Sequence, residues 1–210
     1  MKKDLLKYGQ YKNDILVKLD FDFEAGKKIL DVGCGDGTDA EIFINEFRLD
    51  VYAIDIYKHD NIEKLGGLKF KKGSICQIPF DDNEFDYVFS HDILHHLDEG
   101  NQSYEKHITG LRELIRVTKK DGHIIIVEGN RYNPLFYPHM VLIRGHNHWR
   151  QSYFKRVIED LFDNVEFRCF EAHAYPSGLK FWKAYELLME KISPGMFLAY
   201  NVAIIKNNKK

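Results

Sequence analysis

Gly33, Gly35 and Gly37 alternate with Cys34 and Asp36 directly after the apolar run Ile29-Leu30-Asp31-Val32. Glycine has no Cβ, so it lets a chain turn sharply at a strand end and lets a ligand come close to the main chain. The spacing is G-x-G-x-G. A dinucleotide fingerprint, G-x-G-x-x-G, started at Gly33 would need glycine where Thr38 stands. A second apolar run, Val51-Tyr52-Ala53-Ile54, ends in Asp55, 18 residues after Gly37, where a neighbouring parallel strand would set a carboxylate against ribose hydroxyls. Farther along, Ser90-His91-Asp92-Ile93-Leu94-His95-His96 gathers three imidazoles. With a reference pKa of about 6.5, an imidazole suits proton removal from a phenol, a hydroxyl or a carbon acid. The residue types therefore point to a nucleotide-type ligand with acid–base chemistry beside it.

The elements that must hold these residues alternate strand and helix. Apolar runs near 28–32, 51–55, 68–72, 85–90, 123–128, 165–171 and 198–205 read as strands, with helices near 38–47, 58–65, 102–118 and 152–162 between them. Near-continuous apolar strands belong to a parallel sheet covered on both faces. The expected fold is α/β, a Rossmann-like, doubly wound, mostly parallel seven-stranded sheet with helices on both faces. Leu111, Leu114, Ile115 and Val117 form the inward stripe of the long third helix, and Asp121-Gly122 turns the chain into His123-Ile124-Ile125-Ile126-Val127. A length of 210 residues with 44% hydrophobic content is expected to make one domain over 1–210.

Composition removes several function classes. The formal net charge of -2 and scattered basic residues provide no broad face for nucleic acid. Cys34, Cys76 and Cys169 show no metal-ligand spacing and cannot all pair, and no carboxylate or cysteine is spaced to join His146 and His148 around an ion, so no metal is expected. No stretch approaches the roughly 20 apolar residues of a membrane span. A cytoplasmic protein, monomeric or homodimeric, is expected.

Four segments in order, from about Lys27 to Asn130, resemble the class I S-adenosylmethionine-dependent methyltransferases, of the small-molecule, methyltransferase type 11-like kind. They are the glycine loop, the run ending in Asp55, Gly73-Ser74-Ile75-Cys76-Gln77-Ile78-Pro79-Phe80, and Phe85 through Leu97 with its Leu-His-His-Leu close. The resemblance implies S-adenosyl-L-methionine as cofactor and a last strand that runs antiparallel. It also implies roles for residues. Asp31 helps position the amino end of the methionine moiety, and Gly33, Gly35 and Gly37 pass close to methionine and ribose. Asp55 holds the ribose hydroxyls with Ile56 beside the adenine, and Ser90 and His91 approach the methionine portion. Family members commonly carry an acid at the place of Ser74, and this chain departs there; Ser74 can still accept one hydrogen bond, and the backbone N–H of Ile75 remains available.

Two stretches lie outside the minimal plan, 130–150 after the fifth strand and 174–196 before the last. Their aromatic residues and prolines suit an acceptor pocket, with a packing role for the same aromatics weighed equally. Methyl transfer from a sulfonium is an in-line displacement, so alignment and exclusion of water are its main demands. The expected function is transfer to an oxygen or carbon of a small, partly apolar acceptor, with His95 or His96 as catalytic base. Tyr8 and Tyr11 are expected either to cover the cofactor or to form the apolar side of a first helix. Two alternatives stay open, a non-catalytic module that binds S-adenosylmethionine or S-adenosylhomocysteine, and a protein or RNA methyltransferase. Ser90-His91-Asp92-Ile93 at the strand end, where an Asn-Pro-Pro-Tyr-like motif would position an amine, counts against nucleobase amines. A nicotinamide oxidoreductase fails on Thr38 and on the lack of a Tyr-x-x-x-Lys pair.

Overall fold

The computed structural model describes residues 10–172 and 180–208. In chain order its elements are α1 (Gln10–Leu19), β1 (Lys28–Val32), α2 (Thr38–Asn45), β2 (Asp50–Asp55), β3 (Lys69–Lys72), β4 (Phe85–His91), α3 (Tyr104–Val117), β5 (Thr118–Gly129), α4 (Gln151–Glu159), β6 (Val165–Phe170), α5 (Lys180–Ile192) and β7 (Tyr200–Lys206). The seven strands form one sheet in the order β3-β2-β1-β4-β5-β7-β6. All pairings from β3 to β5 are parallel, and β7 runs antiparallel to both β5 and β6. This is the expected Rossmann-like arrangement. The sequence of strands reverses direction between β1 and β4, the switch point at which open sheets of this type bind ligands beyond the carboxyl ends.

Alternation along the strands splits the interior into two layers, because successive side chains leave a strand on opposite faces. Ile29 and Phe89 pack with Ile15 and Leu19 of α1 and Phe43 of α2. Their neighbours Leu30 and Val88 pack with Leu111 and Leu114 of α3 and Phe154 and Val157 of α4. Sheet and helices thus make three layers, and the central strands are apolar on both sides. At the sheet edge β3 carries Lys69, Lys71 and Lys72, charges that discourage pairing with another chain.

Three local expectations change. The helix expected near 58–65 is a 3-10 turn, Asp60–Lys64, whose first amides are met by the His59 side chain accepting from Asn61 N and whose end is set by the Gly66-Gly67 pair. Strand β5 begins at Thr118, opposite Phe85, and shifts register before Tyr87, because Asp121 takes a left-handed φ of 61° at the turn into the apolar run. The 130–150 stretch contains a π-helical segment, Tyr137–Ile143. It is anchored by Asn130 Nδ2 donating to the carbonyls of Met196 and Leu198, and by Asn133 Nδ2 donating to Glu171 and to the Phe197 carbonyl. Tyr8, the side chain of Tyr11 and residues 173–179, which include the start of the expected addition at 174–196, lie outside the described residues. No helix of the described residues is long and apolar enough to cross a membrane.

Candidate active site

The glycine loop is held against β2. Gly33 N and Cys34 N both donate to the Ile54 carbonyl, and Gly35 N donates to Asp55 Oδ2 at 2.9 Å. The other oxygen of Asp55 accepts from Tyr57 N at 2.9 Å. Each carboxylate oxygen retains a second lone-pair direction, so the side chain can accept from a diol while it braces the loop. Asp55 and Gly35 share the wall of a cavity of about 410 Å³ with Asp36, Tyr57, Lys58, His59 and Asp60. Ile56 is exposed beside it. A Cβ on Gly35 would meet nothing within 4 Å, so this glycine faces open space with φ at 52°. Gly33 and Gly37 are required for packing. A Cβ on Gly33 would lie 2.2 Å from Ile93 Cδ1, and one on Gly37, the left-handed N-cap of α2, would lie 2.6 Å from Leu65 Cδ1.

Asp31 sits at the head of the loop with 1% of its surface exposed, and its Oδ2 has no hydrogen-bond partner. Burial, reinforced by the charge of Asp39, pushes its pKa up to about 8. Ser90, at the end of β4, is likewise buried with its hydroxyl unsatisfied. Buried polar atoms of this kind are rare unless something else meets them, and here a buried acid and a hydroxyl sit on paired strands, β1 and β4, at the carboxyl side of the sheet. Asp31 shares a sheet face with Phe89 and Ser90 the opposite face with Val32, so it is the orphaned oxygen of Asp31, with the open face of Gly35, that fits a ligand bringing an ammonium and a ribose. Ser74 turns its Oγ back to accept from Cys76 N at 3.2 Å, and Ile75 is buried in the core on the α3 face; neither lines the cavity.

His91 has a different setting from the other imidazoles. Its Nδ1 lies 3.0 Å from Asp39 Oδ2, and Lys12 of α1 approaches that carboxylate at 3.3 Å. Burial works to raise the pKa of Asp39, but Lys12 and His91 overcome it and hold the acid at about 2. Burial works equally against the imidazolium of His91, and Asp39 raises its pKa despite this. Lys12 and Asp39 had no motif to mark them; α1 and α2 become neighbours of β4 only in the fold.

The turn after β4 opens with Asp92 in the left-handed region, φ 55°, where its Oδ1 accepts from Gly129 N at 2.7 Å. Glu128, at the end of β5 and fully buried, then organises the turn. Its Oε1 accepts from Ile93 N and Leu94 N, and its Oε2 lies 2.6 Å from His95 Nδ1. The carboxylate thereby sets one tautomer of His95 and leaves Nε2 for other work. Burial opposes the charged ring of His95, yet Glu128 raises its pKa. His148 packs against it at a tilt of 40° with ring centroids 4.3 Å apart, buried with neither nitrogen partnered, and burial next to His95 lowers its pKa to about 4. A Cβ on residue 129 would strike His148 Nδ1 at 2.7 Å, so Gly129 permits this approach. His96 is exposed and shares Glu99 with His146 at 3.3 Å each. Only after folding do Asp92, His95 and His148, or His95, His96 and His146, bring possible ligand atoms within 4.8 Å of one another. Glu128 and Glu99 already account for most of these rings without an ion. In the sequence, the signal for Glu128 is a lone acid closing the apolar run Ile124-Ile125-Ile126-Val127.

His148 also lines a second, larger cavity of about 680 Å³, walled by the 130–150 stretch and the start of α4, with Tyr132, Tyr137, Trp149 and Tyr153 among its walls. The two cavities share no wall residue. The turn after β4 packs Ile93 against Gly33 of the glycine loop and sets His95 against His148 in the wall of the larger cavity.

Comparison with known proteins agrees with this architecture. Residues 30–126 match the family model described as a methyltransferase domain, of methyltransferase type 11. An uncharacterized methyltransferase of Schizosaccharomyces pombe is 32% identical over 126 residues, 53% of this chain and 43% of that protein. A demethylmenaquinone methyltransferase of Geobacillus kaustophilus is 27% identical over 130 residues, covering 57% of this chain and 51% of the relative. The chain thus spans about half or less of these relatives. A crystal structure of an S-adenosylmethionine-dependent methyltransferase from Archaeoglobus fulgidus superposes with a TM-score of 0.67 at 18% identity, covering 93% of this chain and 92% of that one. Over residues 30–126 the chain is thus similar to a methyltransferase domain, and its seven-stranded sheet has the Rossmann-like fold of the class I S-adenosylmethionine-dependent methyltransferases.

Proposed function

We propose that this chain transfers the methyl group of S-adenosyl-L-methionine to an oxygen or carbon of a small, partly apolar acceptor. The observation that carries the reading is the turn after β4, which packs Ile93 against the glycine loop whose Gly35 and Asp55 wall one cavity, and sets His95 against His148 in the wall of the other. The cofactor supplies an electrophilic methyl on a sulfonium; the protein has to align, desolvate and handle one proton. Asp31 would receive the amino end of the methionine portion and Asp55 the ribose hydroxyls. Gly33, Gly35 and Gly37 shape the loop, Ile56 lies on the adenine side, and Ser90 and His91 end the strand facing the methionine portion. Ser74 and Ile75 would serve the adenine only through a backbone N–H, since the Ser74 hydroxyl is turned to Cys76.

On the acceptor side, His95 is the stronger candidate for base. Glu128 holds its Nδ1, so Nε2 can take a proton from the acceptor while the buried carboxylate compensates the resulting imidazolium. His96 is the secondary candidate; its exposure and its contact with Glu99 suit the pocket rim. The aromatic walls of the larger cavity would take the apolar part of the acceptor.

The test is calorimetric titration with S-adenosylhomocysteine, with NADH in parallel, followed by an acceptor screen read by S-adenosylhomocysteine release. Micromolar binding of the former alone, about -8 kcal/mol, with turnover on a phenolic, hydroxyl or carbon-acid acceptor is the expected result. Binding without turnover on any acceptor would favour a non-catalytic module, and binding of NADH alone would overturn the reading.

A further inference from the structure

The wall of the 680 Å³ cavity contains three arginines, Arg131, Arg150 and Arg156, and no aspartate or glutamate. Two other guanidinium groups are matched to acids, Arg116 to Glu113 and Asp82 and Arg168 to Glu166. Among the described residues, Arg131, Arg150 and Arg156 make no ion pair. Neutral groups orient two of them instead. Arg131 donates to Asn147 Oδ1 and lies 5.9 Å from the Tyr137 ring centroid, and Arg156 lies 5.2 Å from that of Tyr153. The chain path brings the three together. Arg131 N donates to the Trp149 carbonyl, which sets β5's continuation beside the entry to α4; Arg150 is the N-cap of α4 and Arg156 lies in its last turn.

Uncompensated positive charge on a concave wall concentrates anions, and a guanidinium offers paired donors that match a carboxylate or phosphate. A cavity for a neutral or cationic acceptor would gain nothing from three such groups and would repel a cation. We propose that the acceptor carries an anionic group, a phosphate or a carboxylate, which Arg131, Arg150 and Arg156 hold while the atom to be methylated lies at the His148 end of the same cavity. This rests on the reading of that cavity as the acceptor pocket. It assigns the arginines to specificity and leaves proton handling to the histidines, and the tyrosine and tryptophan rings between them would accommodate an apolar or aromatic body joining the two ends.

The experiment is calorimetric titration of the full chain, saturated with S-adenosylhomocysteine, with three probes, inorganic phosphate, acetate and tetramethylammonium. The proteins compared are wild type, the triple variant Arg131→Gln/Arg150→Gln/Arg156→Gln and the single variant Arg150→Gln, at an exposed side chain that makes no capping hydrogen bond to α4. Expected is binding of phosphate or acetate to wild type, no binding of tetramethylammonium, at least a tenfold loss of anion affinity in the triple variant, and a smaller loss in Arg150→Gln. Preference for phosphate assigns a phosphorylated acceptor and preference for acetate a carboxylated one. Equal anion affinity in wild type and both variants, no anion binding to wild type, or preference for tetramethylammonium would overturn the proposal. Failure of S-adenosylhomocysteine to bind would instead strike the methyltransferase reading, and the anion titrations without it would still report on the arginines.

Discussion

His95 Nδ1 lies 2.6 Å from Glu128 Oε2, with both side chains buried, so the end of strand β5 dictates which nitrogen of the imidazole after β4 is left for chemistry. The same carboxylate accepts two backbone amides of that turn. Loss of its charge should therefore alter proton affinity more than position. The pKa of His95 is raised above 6.5 by Glu128, so its base form appears only as pH climbs through that raised value. Once an acceptor is in hand, kcat/KM should rise with pH through a midpoint above 6.5. Glu128→Gln should move the His95 midpoint, followed by NMR, to lower pH and reduce kcat by about 10²-fold or more, within the range of general-base contributions. An unmoved midpoint would remove Glu128 from the account, and full turnover in both His95→Ala and His96→Ala would remove the base.

Asp55 accepts one amide from the glycine loop and one from Tyr57. Asp55→Ala should weaken S-adenosylhomocysteine binding by about 1.5–3 kcal/mol, the usual worth of a hydrogen bond to a charged group, which corresponds to roughly 10- to 150-fold in Kd. Calorimetric affinities unchanged from wild type would exclude a contact between this carboxylate and the ribose.

Gly33 has a φ of 75° and would press a Cβ to 2.2 Å from Ile93 Cδ1. Gly33→Ala should cost both stability and ligand affinity, because a left-handed alanine is strained and Ile93 must shift, together about 1–3 kcal/mol. Gly35→Ala, with open space at its Cβ but the same sign of φ, should be milder in stability while still impeding ligand approach. Thermal melts with and without S-adenosylhomocysteine separate the two effects.

Asp31 links folding to pH with a definite sign. Its pKa stands near 8 in the folded chain against 3.8 for the free group, so the unfolded state releases its proton first as pH rises. The stability held by the protonated acid is present below about pH 4 and declines up to about pH 8. Asp31→Asn should therefore melt above wild type, and the gap should widen between pH 5 and pH 8, by about 2–4 °C per kcal/mol in a chain of this size. A gap that stays constant or narrows with pH would contradict the buried, proton-bearing acid.

The fold was legible because the signals were local. Ile29 through Val32, Val51 through Asp55 and Phe85 through His91 are apolar enough to be strands buried on both faces, and each pairs as expected. Gly35 and Asp55 were equally visible, since loop and strand end are neighbours through the parallel β1–β2 pairing. Glu128 with His95, Asp39 with Lys12 and the contact of His148 with His95 were not, because their partners lie 33, 27 and 53 residues apart and meet only through tertiary packing. The aromatic residues of 130–150, which suit a pocket wall or packing equally, mark the larger cavity in the sequence, but its arginines read there as scattered charge because Arg131 meets Arg150 and Arg156 only through tertiary packing.

The most direct test of the proposed cofactor site is proton release on binding. S-adenosylhomocysteine is titrated into the protein at pH 7 in buffers of different ionisation enthalpy, for wild type and Asp31→Asn. If the buried acid at the head of the glycine loop receives the amino group, the incoming ammonium converts the protonated Asp31 to carboxylate. Wild type should then release close to one proton and Asp31→Asn none, with weaker binding. Binding with no proton release in wild type, or equal release in the variant, would contradict the placement of the ligand on Asp31.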